Sequence, residues 1–181
     1  GSVSGVQVET PTVGEWYILY VHNPTGDPYN PGFALGSDAA AAYALSQSSD
    51  NRGTVAYEGN ADVLWQYTEK GFRNRSGEYL TLACTGINPG GDAVERGMLG
   101  KSTNLSHANV KYSKTYHALC NEEYVSGNGH TDVLVTNYLH FNGYNGPVHC
   151  RSYNAPDDWG ARGDIPAYIA QVTYNSGGGG E

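Results

Sequence analysis

Chemistry-bearing side chains crowd into one stretch, HFNGYNGPVHCRSYNAPDDWGARGD, from His140 to Asp164. Aromatics stand there among Asn, Asp and Arg. A sugar site needs that mixture: an aromatic face for the C–H side of the ring, and planar amides or carboxylates for its hydroxyls. The candidate ligand-binding residues are Asn142, Tyr144, Asn154, Asp157 and Trp159. The Pro-directed turn NAPDDW places Trp159 near the surface. The bland alternative has Trp159 capping the fold and the Asp pair decorating a turn.

Other chemistries find less support. Arg162–Asp164 spells Arg-Gly-Asp, a tripeptide that some adhesion receptors bind, but it reads as a turn ahead of IPAYIAQV. His149 and Cys150 are adjacent and diverge on a strand, while His117 and Cys120 share a face only on a helix. Neither makes a paired ligand motif, so no metal is expected. The three cysteines, Cys84, Cys120 and Cys150, permit one disulfide, Cys120–Cys150 or Cys84–Cys120, with one thiol left over. No Gly-x-Ser-x-Gly elbow or His-Glu-x-x-His helix occurs, and GINPGGDAVERGMLGK lacks the strand–helix frame of a phosphate loop. Glu122 and Glu123 are expected to be solvated. No catalytic residues and no cofactor are assigned.

Bulk properties narrow the partners. The formal charge is −8, and the densest basic stretch is the short run Lys70 to Arg75. Phosphate backbones need more cations than that, so nucleic acid and anionic membranes are unexpected partners, while a glycan or a protein surface fits. No stretch has the length of a membrane span. Low Lys content, abundant Tyr and Gly, and the sequons NRS at Asn74 and NLS at Asn104 point to a secreted, extracellular protein. Gly1-Ser2 reads as an expression scar, so a leader is expected to have been removed.

The elements that must position these residues are strands. Charged residues make up only 15% while Gly (25) and Tyr (15) abound, and no apolar period of helical spacing persists, so the chain reads as all-β with many turns. Residues 1–13 are expected to be loose, 14–175 to form one domain, and the Gly-rich 176–181 to form a flexible tail. Three apolar-x-apolar openings recur: Phe33–Leu35, Leu80–Leu82 and Leu139–Phe141. Trp65 follows Leu35 by 30 residues, Tyr112 follows Leu82 by 30, and Val172 follows Phe141 by 31. The first unit's strands are expected at Trp16–His22, Phe33–Gly36, Thr54–Glu58 and Val63–Thr68. Ala39–Ala44 is expected to form a helical turn, and His117–Thr131 an extended connection.

Three unequal four-strand units that cannot bury their apolar faces alone point to a β-trefoil, with a β-sandwich or jelly roll as the alternative. GEWYILYVHN resembles the first strand of ricin-B-like lectins, FRNRSGEYLTLACTG their second-unit hairpin, and NADVLW a unit end that places a Trp in the core. The family's Gln-x-Trp ending is absent, since Gln66 follows Trp65. Thr81, His140 and Ala34 stand where its sugar-binding Asp belongs, with Asp38 a few residues after Ala34. The resemblance thus implies the fold and not the family's standard sugar site. The preferred expectation is a non-catalytic, lectin-like protein that binds carbohydrate through surface loops. One alternative is a trefoil protease inhibitor or secreted effector that grips a protein through His22–Gly32. Another is a polysaccharide-active hydrolase with a carboxylate pair in a deep cleft.

Overall fold

A computed structural model describes residues 2–22, 31–49, 54–59, 62–141, 148–155 and 165–174. In chain order its strands are β1 (Val3–Val8), β2 (Trp16–His22), β3 (Gly32–Leu35), β4 (Ala42–Ala44), β5 (Thr54–Tyr57), β6 (Leu64–Thr68) and β7 (Gly71–Arg73). They continue with β8 (Tyr79–Ala83), β9 (Arg96–Ser102), β10 (Lys111–Ser113), β11 (Ala118–Gly127), β12 (His130–Phe141), β13 (Val148–Tyr153) and β14 (Tyr168–Val172). Every pairing is antiparallel. They form one open sheet in the order β10–β11–β12–β13–β9–β8–β7–β6–β2–β14–β1–β5, with β3 and β4 branching from β2. The described residues contain no helix, and so none long and apolar enough to cross a membrane.

The unbroken apolar run WYILYV in β2 reflects burial on both faces. Tyr17, Leu19 and Val21 enter one core, and Trp16, Ile18 and Tyr20 enter a second. β6 divides the same way, with Trp65 in the first core and Leu64 in the second. The first core pools Leu35, Trp65, Phe72, Leu82, Leu139 and Ile169, so strands far apart in the sheet order face the same interior. The sheet curls to allow this. The backbone N–H of Ala167 donates to the carbonyl of His117 at 2.7 Å, and the Tyr112 hydroxyl donates to the carbonyl of Ala167 at 2.8 Å. These bonds tie the β10–β11 turn to the start of β14.

Several local expectations change. The Val3–Val8 segment is not loose: β1 pairs with β14 on one side and β5 on the other. The Ala39–Ala44 run does not wind into a helical turn. The Asp38 carboxylate accepts the N–H groups of Ala40 (3.0 Å) and Ala41 (3.2 Å), which gives the backbone a turn in place of a helix, and Ala42–Ala44 then pairs with β3. His117–Thr131 is no extended connection. It begins a long hairpin closed by Asn128 (φ 50) and Gly129 (φ 81), the pairing that tight hairpin turns favour.

All three cysteines are free, against the expected bridge. Cys120 faces Tyr138 across the β11–β12 ladder, while Cys150 faces Leu139 on the other side of β12. Tyr138 and Leu139 are consecutive, so the two thiols lie on opposite faces of the sheet. Cys84 packs in a separate cluster with Ile87 and Val135. The sequon at Asn74 is also closed to modification: Asn74 is 4% exposed, and its amide donates to the carbonyl of Ser37 at 2.9 Å.

Glu122 is exposed, but Glu123 is not the solvated residue expected. Its Oε2 accepts the Cys84 N–H at 2.9 Å and the Asn137 amide at 2.7 Å, with His107 Nδ1 at 3.5 Å. Asn137 also donates to Asn121 Oδ1 at 3.0 Å and accepts from Ser152 at 2.5 Å. This ladder satisfies polar groups that β11, β12 and β13 would otherwise bury unpaired beneath β8.

Candidate functional site

Of the residues singled out in the C-terminal stretch, Asn142, Tyr144, Asp157 and Trp159 lie outside the described residues. So do Arg162–Asp164 and most of the loop from His22 to Gly32. Asn154 is described, and both ends of its amide are occupied. Oδ1 accepts the Ala93 N–H, and Nδ2 donates to the Gly91 carbonyl at 2.8 Å. It clips the Asn88–Ala93 loop to the end of β13.

An aromatic–polar cleft lies elsewhere, at the rim of the second core. Register builds it. Val172, Trp16, Gln66, Arg73 and Tyr79 are successive partners across β14, β2, β6, β7 and β8. Partners opposite one another in a ladder project to the same face, so these side chains form one row. At one end the Trp16 and Tyr174 rings meet edge to face, with centroids 4.8 Å apart. At the other, the Arg73 guanidinium lies 5.9 Å from the Tyr79 ring centre. Arg73 Nη2 donates to Gln66 Oε1 at 2.9 Å, and Gln66 Nε2 donates to the Gly14 carbonyl at 3.1 Å.

The β7–β8 turn closes the cleft. Asn74 Oδ1 accepts the N–H groups of Ser76 (3.0 Å) and Glu78 (2.9 Å), and Gly77 takes a φ of +85° that side chains resist. The turn carries Arg75 over the Tyr174 ring, 5.4 Å from its centre. The result is a cleft of about 320 Å³ lined by Trp16, Gln66, Arg73, Asn74, Arg75 and Tyr174. Aromatic edges and guanidinium donors converge there, and no carboxylate is among the described lining residues. Such a surface can hold a ring by its C–H face while charged donors meet its oxygens.

A second polar cluster occupies the outward face of β12 and β13. The His140 and His149 rings lie 4.6 Å apart. Burial, the neighbouring His149 and Arg151 hold His140 down to about 4, and burial with Arg151 and Arg96 lowers His149. Arg151 Nε donates to His149 Nε2 at 3.2 Å, which needs a neutral imidazole with its lone pair turned to the guanidinium. Arg151 Nη1 also donates to Glu95 Oε1 at 3.0 Å. The cleft beside this cluster, lined by Glu95, Arg96, His149 and Arg151 among the described residues, offers one carboxylate. Cleavage between sugars ordinarily uses two.

Trp16, Gln66, Arg73, Arg75 and Tyr174 escaped the sequence reading as site residues. The basic run Lys70–Arg75 and the opening Trp16 were visible separately, but only the β2–β6–β7 register sets them side by side. Comparison of the chain with models of protein families, with curated proteins and with solved structures returned no match.

Proposed function

We propose that this all-β protein is a non-catalytic carbohydrate-binding protein whose ligand sits in the Trp16–Tyr174 cleft. One observation carries the reading: the cross-strand row that sets an edge-to-face aromatic pair beside Gln66 and Arg73, with Arg75 over Tyr174. Sugars present an apolar C–H face and a polar edge together, and this row offers the complement of both. Holding Arg73 on Gln66 lowers the ordering cost of binding.

A β-trefoil is the architecture we attach to this reading. Its support is that the three openings, Phe33–Leu35, Leu80–Leu82 and Leu139–Phe141, all contribute to the first core, as do Trp65 and Tyr112 at two unit ends. A secreted setting accords with the exposed sequon at Asn104. Asn142, Tyr144, Asp157 and Trp159, outside the described residues, are the second set of residues we assign to glycan.

A glycan array probed with the whole chain tests the proposal. The expected result is binding that Tyr174→Ala removes while circular dichroism stays unchanged. Loss on Tyr144→Ala or Trp159→Ala, with Tyr174→Ala unaffected, would move the site to the residues of the C-terminal stretch. A blank array together with tight inhibition of a papain-like or trypsin-like protease would replace carbohydrate binding with inhibition.

A further inference from the structure

Resting on the carbohydrate reading, we infer that the Trp16–Tyr174 cleft selects an acidic sugar, a hexose unit carrying a carboxylate or a sulfate ester. The charge distribution carries the inference. Acidic residues outnumber Lys and Arg by 18 to 10 across the chain, yet this cleft gathers two guanidiniums and no carboxylate among its described residues. A site for neutral sugars commonly needs acceptors for hydroxyl protons. Here side-chain acceptors are few and largely committed: Asn74 Oδ1 takes the backbone of both Ser76 and Glu78, and Gln66 Oε1 already takes Arg73.

The donors, by contrast, remain. Arg73 commits Nη2 to Gln66 and keeps its other N–H groups. Arg75 is exposed, and its guanidinium lies over the Tyr174 ring, 5.4 Å from its centre. Guanidinium donors match oxyanions in geometry as well as charge. The half-buried Tyr174, backed by the core residue Trp16, supplies apolar surface that a bare anion does not use, so the ligand is a charged ring and not a free ion.

Calorimetry on the whole chain tests this with matched probes: tetramers of galacturonate, mannuronate and glucuronate, their methyl esters, and a sulfated galactose tetrasaccharide. The methyl ester keeps the ring and its stereochemistry and removes the charge. We expect at least one acidic tetramer to bind about tenfold or more tightly than its neutral counterpart at low salt. High salt narrows that advantage, because the guanidiniums are partly exposed. Arg75→Gln is expected to weaken the acidic tetramer about tenfold or more and so bring the acid-to-ester affinity ratio close to one. The uronate and sulfate arms identify which oxyanion is read. Equal binding of acid and ester overturns the inference and leaves carbohydrate binding standing. An acidic preference retained in both Arg75→Gln and Arg73→Gln overturns it by placing the charge recognition elsewhere. No binding to any tetramer, together with a blank glycan array, overturns both readings.

Discussion

Gln66 stands between Trp16 and Arg73 in the cross-strand row, and its amide holds Arg73 Nη2 at 2.9 Å while anchoring to the Gly14 carbonyl at 3.1 Å. One amide thus fixes the orientation of a cleft guanidinium. Gln66→Ala is expected to weaken the proposed glycan binding several-fold through lost preorganisation, and to lower stability by only about 1 kcal/mol, the net worth of such bonds. Calorimetry and urea unfolding on the same variant check both halves. A stability loss above about 3 kcal/mol would mean that Gln66 is mainly structural.

Trp65 is fully buried in the first core, and its indole N–H reaches the Leu35 carbonyl at 3.4 Å. Truncation removes the largest of its fully buried side chains and orphans a buried acceptor. Trp65→Ala is expected to cost roughly 3–5 kcal/mol, read as a lower urea midpoint.

Asn137 lies at the centre of the ladder linking Asn121, Glu123 and Ser152. Asn137→Ala leaves a carboxylate and a hydroxyl short of partners on the buried side. A loss of about 2–4 kcal/mol is expected, more than Asn154→Ala should show at the surface. Equal losses in the two variants would contradict a buried network.

His140 is 6% exposed and lies beside His149 and Arg151, with its folded-state value held at about 4. The ordinary value is 6.5, so in the window between them the unfolded chain binds a proton that the folded one refuses. Stability is therefore full above about pH 6.5 and falls as pH drops towards 4. His149 adds to the effect in the same direction, while Glu95, bonded to Arg151, tempers the positive field. Thermal melts across this range should show the decline, and His140→Phe should flatten it.

Burial pushes the Cys150 thiol up to about 12 and the Cys120 thiol up to about 11. At pH 8 their thiolate fractions are then on the order of one part in a thousand or less. A disulfide reagent should modify the half-buried Cys120 slowly and the fully buried Cys150 only as the protein unfolds. Fast modification of both in the native protein would contradict this burial.

Strand positions were legible where residue type alone decides them. Trp16–His22 is a strand from end to end because its aromatic and β-branched run suits a pleat buried on both sides. Trp65, expected in the core, is fully buried there. Local competition misled at Asp38, whose carboxylate captures the backbone that an alanine run would wind. Facing direction misled for Cys120 and Cys150, because a thiol's neighbours depend on which side of β12 its strand pairs.

By itself the sequence determined the all-β class, the apolar openings that fill the first core, and the excess of acidic over basic residues. These follow from composition and from period-two patterning, which each residue carries locally. Only the tertiary structure decided that Trp16, Gln66, Arg73 and Tyr174 share a rim, that Glu123 turns inward, and that the cysteines stay apart. Those relations arise from register between strands distant in the chain, and a shift of one residue would send every side chain to the opposite face.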